Sequence, residues 1–365
     1  MRVWIFMLLS IMAFWVLIPD ALGKKKKNLI FLGLSFLVLV FIMGSRSPHM
    51  MKSPDLYGYY RMFYRSTYMT FEQLTQQYDT IEQGYLLLNK IVSTISPWTY
   101  TLQYLEAAFC TFVIFWYINR NADSVFLGVM IYICVGPWQF YLTGFRQAFA
   151  ISICLIALEL LKKHIRKYDI IGVCLIVLAI TMHSTAWIFV LVLFLRNVKV
   201  SKKFIVILLA VTALLFALLP HILDFVREHM DKDYGMVYKG NPLGGLIPIA
   251  VYLCALVLTY LVWLNDKNYF DKYGAEVTLL VVGLALYTLR YSSVTMERVS
   301  FYYTPVITVV LSNAVTRQKS ISTRNIYYAL GIALLIGLYM YRCIEQYGTY
   351  HFFWEYLELI DLYYN

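Results

Sequence analysis

The residues of this chain best suited to chemistry are a few ionisable side chains at the edges of long apolar runs. Glu82 stands in Glu82-Gln83-Gly84-Tyr85, and Arg146 and Gln147 open an apolar run in Gly144-Phe145-Arg146-Gln147. His183 precedes Ser184 between two further runs, and Arg290, Glu297 and Arg298 flank a later turn. Arg46 follows an early run in Gly44-Ser45-Arg46, with Asp55 shortly after it. A carboxylate or an imidazole can take a proton from an attacking hydroxyl, which makes Glu82, His183 and Glu297 candidate bases. An arginine presents a planar fork of donors that matches phosphate oxygens. Arg46, Arg146, Arg290 and Arg298, brought to one place from separate loops, would bind an anionic ligand such as a lipid pyrophosphate.

Ordinary structural roles compete with these readings. Arg46 and Arg290 can snorkel at the ends of apolar runs. His183 can cap a helix, and Glu297 with Arg298 can form a local ion pair. Glu106 and Arg146 differ because they lie within apolar runs, where an ionised group is costly without a partner or a cavity. Glu106 is itself one candidate partner for Arg146. The many tyrosines between Tyr57 and Tyr85 could stack on sugars, or could form an aromatic belt at a membrane surface. Asp231-Lys232-Asp233 has D-x-D spacing, but it stands in a charged loop where such patterns are common by chance. No metal site is expected, nor a cofactor: the chain has no Walker sequence, no dinucleotide-binding glycine fingerprint and no H-E-x-x-H.

The elements that must position these residues are membrane helices. Of the 365 residues, 61% are hydrophobic and 14% charged, and mean hydropathy is +0.64. Soluble domains carry about 25% charged residues. Continuous apolar runs such as 29–44 and 326–341 exclude a barrel of alternating strands. The runs predict about 12 helices, allowing ~20 apolar residues per crossing. They lie at 2–19, 28–44, 100–118, 124–141, 144–161, 168–182, 184–196, 203–222, 243–264, 275–290, 298–315 and 325–342. The first reads as an uncleaved span rather than a signal peptide, because Pro19-Asp20 and four lysines follow it. All six cysteines lie in or beside apolar runs, as small buried hydrophobes do.

Formal net charge is +10, yet the basic residues sit in short clusters between runs, which argues against nucleic acid as a partner. One alternate set of loops holds Lys24, Lys25, Lys26 and Lys27, then Arg120, then Lys162, Lys163, Arg166 and Lys167. It continues through Arg196, Lys199, Lys202 and Lys203, then Lys267 and Lys272, then Arg317, Lys319 and Arg324. The positive-inside rule makes this set cytoplasmic and places Glu82, Arg146, His183 and Glu297 outside. The outer side then carries a long segment, 45–99, with a partly buried or interfacial helix at 85–95. An aromatic and acidic tail, 343–365, reads as a further interfacial segment of a single membrane-embedded domain, 1–365.

The order Gly44-Ser45-Arg46, Asp55, Tyr57 to Tyr60, Glu82-x-Gly84-Tyr85, Gly144-Phe145-Arg146-Gln147 and His183-Ser184 resembles the EpsG-type branch of bacterial Wzy polysaccharide polymerases. Glu297-Arg298 with Tyr302-Tyr303 fits the same pattern, and the resemblance covers about residues 30–310. It implies an all-α, GT-C-like membrane glycosyltransferase of the bacterial cytoplasmic membrane, independent of metal. Such enzymes join repeat units carried on undecaprenyl pyrophosphate, as donor and acceptor, into exopolysaccharide, capsule or O-antigen-type polymer. Membrane lipid, a flippase and a chain-length regulator are the implied partners. Under this resemblance Glu82, His183 and Glu297 are the catalytic candidates. Arg46, Asp55, Tyr85, Arg146, Gln147, Arg290, Arg298 and Tyr302 are the substrate-binding ones. An O-antigen-ligase-like transferase is a close alternative. A flippase for the lipid-linked unit, a different class, would be expected to place charge along a central pathway with internal repeats.

Overall fold

The computed structural model describes residues 1–48, 54–135, 138–230, 242–344 and 349–356. The described chain is helical, with one isolated antiparallel bridge between Arg46 and Phe352. Its helices are α1 (Arg2–Leu17), α2 (Lys24–Gly44), α3 (Pro54–Tyr68), α4 (Phe71–Gln77), α5 (Gln83–Ile95) and α6 (Thr101–Asn121). They continue as α7 (Val125–Cys134), α8 (Trp138–Tyr141), α9 (Phe145–Leu161), α10 (Arg166–Met182), α11 (Val192–Leu195) and α12 (Lys202–Met230). The last are α13 (Pro242–Asn265), α14 (Tyr269–Thr288), α15 (Val294–Ser300), α16 (Ile307–Thr316) and α17 (Ile321–Arg342).

Six helices are long and apolar enough to cross a bilayer, and a seventh crossing results if the bent α15–α16 pair counts as one. This is a multi-pass membrane protein. Several expected spans take shorter or broken forms. The run at 124–141 divides into α7 and α8, and the ten residues of α7 rise only about 15 Å. The run at 184–196 is a 3₁₀ turn, Ser184–Leu191, followed by α11. The run at 298–315 bends by 53° at the break between Ser300 and Thr304, and Pro305 sits in the first turn after it, where its missing N–H costs little. The segment 45–99 contains three helices instead of one. The tail beyond Tyr356 lies outside the described residues.

Burial separates core from lipid-facing elements. Every residue of α7 is buried, as are most of α9 and α16. By contrast, α12 and α17 leave apolar side chains such as Val206, Leu209, Leu214, Leu330 and Leu334 exposed. Such helices are stable in lipid, which solvates them while their backbone groups are paired internally. In the amphipathic α5, Tyr85, Leu86, Asn89, Val92 and Ser93 face inward, and Leu87, Ile91 and Ile95 are exposed.

The basic loops are tied together at one end of the bundle. Lys162 Nζ donates to Glu159 (2.6 Å), to Asn121 (3.0 Å) and to Glu276. Arg120 meets the other Glu159 oxygen at 3.0 Å, Arg196 grips Asp169 with two nitrogens, and Arg317 does the same to Asp123. Glu276 is fully buried and Glu159 nearly so. Lys162→Met would therefore leave the buried Glu276 without its cation, while Glu159 keeps Arg120. A cost of about 3–5 kcal/mol is expected, because breaking a buried pair strands the remaining charge. Thermal melting of the detergent-purified variant checks this, and a melting temperature equal to the parent's would show that the cluster is not holding these helices.

Candidate active site

The opposite end of α9 carries a second polar cluster, about 26 Å away along a helix of 17 residues. Its centre is Glu82, the N-cap residue of α5. A side chain at this position commonly caps its own helix. Glu82 makes no such bond; its carboxylate reaches across the chain instead. One oxygen, Oε2, accepts from Arg146 Nη1 at 2.6 Å. The other, Oε1, accepts from the backbone N–H of Ser184 at 2.7 Å and lies 3.2 Å from His183 Nδ1.

Local sequence explains the meeting. Thr70 and Gln73 form a capping box that fixes the start of α4. Gly84 lets the first turn of α5 press against the end of α10: a Cβ there would come within 2.7 Å of the Thr181 carbonyl oxygen. That approach delivers Glu82 to His183. His183 ends α10 in extended conformation (φ −155°, ψ 119°), which turns the next N–H toward the carboxylate. On the other side, Phe145 is held between Tyr59, stacked at 4.9 Å, and the Arg46 guanidinium at 5.1 Å. This fixes the first turn of α9, from which Arg146 projects.

Partial burial works to raise the Glu82 carboxyl, but the His183 hydrogen bond, the Arg146 charge and the Ser184 N–H outweigh it. The carboxyl is held well below the usual carboxylate range. Glu82 is thus a fixed anion and a poor proton acceptor. With Nδ1 turned to Glu82, the imidazole presents Nε2 as the nitrogen able to accept a proton.

Other predicted residues border this centre. Gln147 donates to the Arg298 carbonyl at 2.5 Å. The Arg298 side chain is 54% exposed and lies 3.8 Å from Asp55, itself 49% exposed, so the pair is loose and open to exchange. Tyr302 meets Thr185 at 3.1 Å. Tyr85 is buried with its hydroxyl unpaired among the described residues, and burial pushes that hydroxyl well above its ordinary range.

Arg290 and Glu297 form a separate pair at 3.2 Å, with Tyr287 hydrogen-bonded to both. Adjacent residues of α15 therefore serve two clusters, and Glu297 with Arg298 is not the local ion pair that adjacency offers. Arg46 is enclosed, at 0% exposure. It donates to the Leu142 and Met43 carbonyls and faces Glu106 at 3.8 Å. Glu106 is thereby matched with Arg46, and Arg146 with Glu82.

Three contributors escape a reading of charged residues alone: the Ser184 backbone, Thr185 and Tyr59. Tyr59 had a signal, since it stands four residues after Asp55 and shares its face of α3. Among the described residues no group of three or more His, Cys, Asp or Glu side chains could hold a metal ion. Asp231 and Asp233 lie outside the described residues.

A bundle of apolar helices holding a carboxylate, a histidine and two arginines at one end defines a polytopic membrane protein with a polar site at the ends of its helices. Residues 29–357 match the EpsG family, and the chain belongs to it. No curated protein and no solved structure matches the chain.

Proposed function

We propose that this protein is a membrane glycosyltransferase that polymerises oligosaccharide repeat units carried on undecaprenyl pyrophosphate. Its active site would open at the extracytoplasmic face of the bacterial cytoplasmic membrane. Family membership supports polymerase-type chemistry. The observation that carries the mechanism is the three-way engagement of Glu82 by Arg146, His183 and the Ser184 N–H.

In the proposed reaction, an acceptor sugar hydroxyl attacks the anomeric carbon of the donor. The new glycosidic C–O bond forms as the bond from that carbon to the pyrophosphate oxygen breaks. His183 Nε2 takes the hydroxyl proton, and Glu82 fixes the imidazole in the tautomer that can do so. Arg146 and Arg298 stabilise the charge that develops on the departing pyrophosphate. The buried Tyr59, Tyr85 and Tyr302 pack behind this centre and hold its elements in place. The architecture is read as GT-C-like with about 12 crossings: the six long helices, the shorter α1, α7, α9 and α10, the Ser184–Leu195 segment and the bent α15–α16 pair. The reaction is proposed to need no metal.

Purified protein supplied with radiolabelled lipid-linked repeat unit tests the reading. A polymer ladder that survives EDTA is expected. Transfer to a different acceptor without a ladder would indicate a ligase, and movement across vesicles without transfer a flippase. Orientation is tested by His164→Cys and Asp79→Cys, in a background cleared of accessible native thiols. An impermeant reagent on intact cells should label 79 and spare 164. The reverse pattern would place the site on the cytoplasmic side.

A further inference from the structure

We propose that the cavity at the Lys162 end of the bundle binds the phosphate headgroup of an anionic phospholipid. The cavity has about 270 Å³ and lies between the α9–α10 turn, the loop after α11 and the start of α14. Lys162, His164, Arg196, Lys199 and Lys272 line it, against one carboxylate, Asp271. These cations are not equivalent. Lys162 and Arg196 are anchored on Glu159, Glu276 and Asp169 and form the wall. Lys199 is 75% exposed and pairs with Asp271, itself 62% exposed, a contact that a phosphate can displace. Lys272 has no carboxylate partner among the described residues and lies 4.9 Å over the Tyr273 ring.

The elements around the cavity indicate a lipid source for the phosphate. The same elements that line it, or follow it directly in the chain, carry the exposed apolar side chains Ile170, Ile171, Phe194, Ile205 and Val206. Beside it, Trp263 packs on Phe270, and Lys267 sits 3.8 Å over the Trp263 ring. Tryptophan and lysine at the end of an apolar helix mark headgroup level. Acyl chains lying along Phe194 and Ile170 would bring a headgroup to the cavity mouth. Basic pockets between membrane helices take anionic headgroups in this way. The inference does not depend on the reaction proposed above.

Native mass spectrometry of the detergent-purified protein, with phosphatidylglycerol and phosphatidylcholine in competition, provides the test. The parent should retain phosphatidylglycerol in preference. The double variant Lys199→Ala with Lys272→Ala should lose about twenty-five-fold in relative retention, at roughly fivefold per cation. As a control, Lys163→Ala with Lys202→Ala removes two exposed cations of the same face that do not line the cavity, and should leave the preference near the parent's. Equal retention of the two lipids would overturn the proposal, as would an equal loss in the control pair. Displacement of bound phosphatidylglycerol by millimolar inorganic phosphate would reassign the cavity to small soluble anions and end the lipid assignment. Melting temperatures equal to the parent's should accompany both variants, because the four lysines are exposed.

Discussion

Arg146→Lys is expected to fold and insert as the parent does while forming polymer about a hundredfold more slowly, the effect of losing ~3 kcal/mol of transition-state stabilisation. Lysine keeps the charge but loses the planar fork. One prong of that fork, Nη1, is fixed on Glu82 at 2.6 Å, while Nε is buried and unpaired among the described residues. A guanidinium can stay locked on Glu82 and still present another edge to an oxygen of the leaving group. A single ammonium cannot do both with the same geometry. Arg146→Ala should be close to inactive. The competing account is that Arg146 serves only to hold α9 against α5 through Glu82. On that account Arg146→Ala would lower yield and melting temperature, and the surviving protein would turn over near the parent rate. Extracted yield, melting temperature and polymer length, measured on both variants, separate the two accounts. A well-folded Arg146→Ala protein that makes long polymer at the parent rate would remove Arg146 from the chemistry.

Much of this arrangement was legible in the sequence, and the parts that were not have a physical cause. Apolar runs give helices directly, because lipid leaves the backbone no other way to pair its polar groups. Their ends were less legible. The break between α7 and α8 and the bend between Ser300 and Thr304 lie inside runs of apolar composition, where hydropathy is blind to the ladder. For the site, the costly placement of Arg146 and Glu106 predicted that each has a partner, and each has one. The identities of those partners depend on which helix ends adjoin, and no local pattern encodes that. Gly84 illustrates the limit. Its sequence context marks a helix start, but its role as the contact point that brings α5 to Thr181 appears only when both helices are in place. Arg46 is a similar case. The motif Gly44-Ser45-Arg46 reads equally as a ligand group or a snorkelling cation, while its surroundings are Phe145, Glu106 and two carbonyls.

His183→Ala is expected to slow polymer formation by about 10²–10⁴-fold, the range for loss of a positioned general base. Glu82→Gln tests the same unit from its other member. It preserves the shape of the side chain but removes the anion that selects the Nδ1–H tautomer and holds Arg146, so a loss of at least ~10²-fold is expected. The two substitutions should be far from additive if the residues act together: the double variant should be little slower than the slower single one. Stability supplies a separate readout. Folding depresses the Glu82 carboxyl, so the folded protein binds fewer protons there than the unfolded chain. The contribution is therefore fully present above the ordinary carboxylate range and is lost as pH falls through it and below. The difference in melting temperature between parent and Glu82→Gln should be largest near neutral pH and should shrink toward pH ~4 and below. A difference that stays constant across that window would mean that Glu82 is not the held anion described here. Near-additive rate losses would mean that His183 takes the proton without help from Glu82. A His183→Ala protein that polymerises at the parent rate would pass the role of base to another group, and Glu297, paired with Arg290 and within 3.5 Å of the Tyr287 hydroxyl, would be the next to substitute.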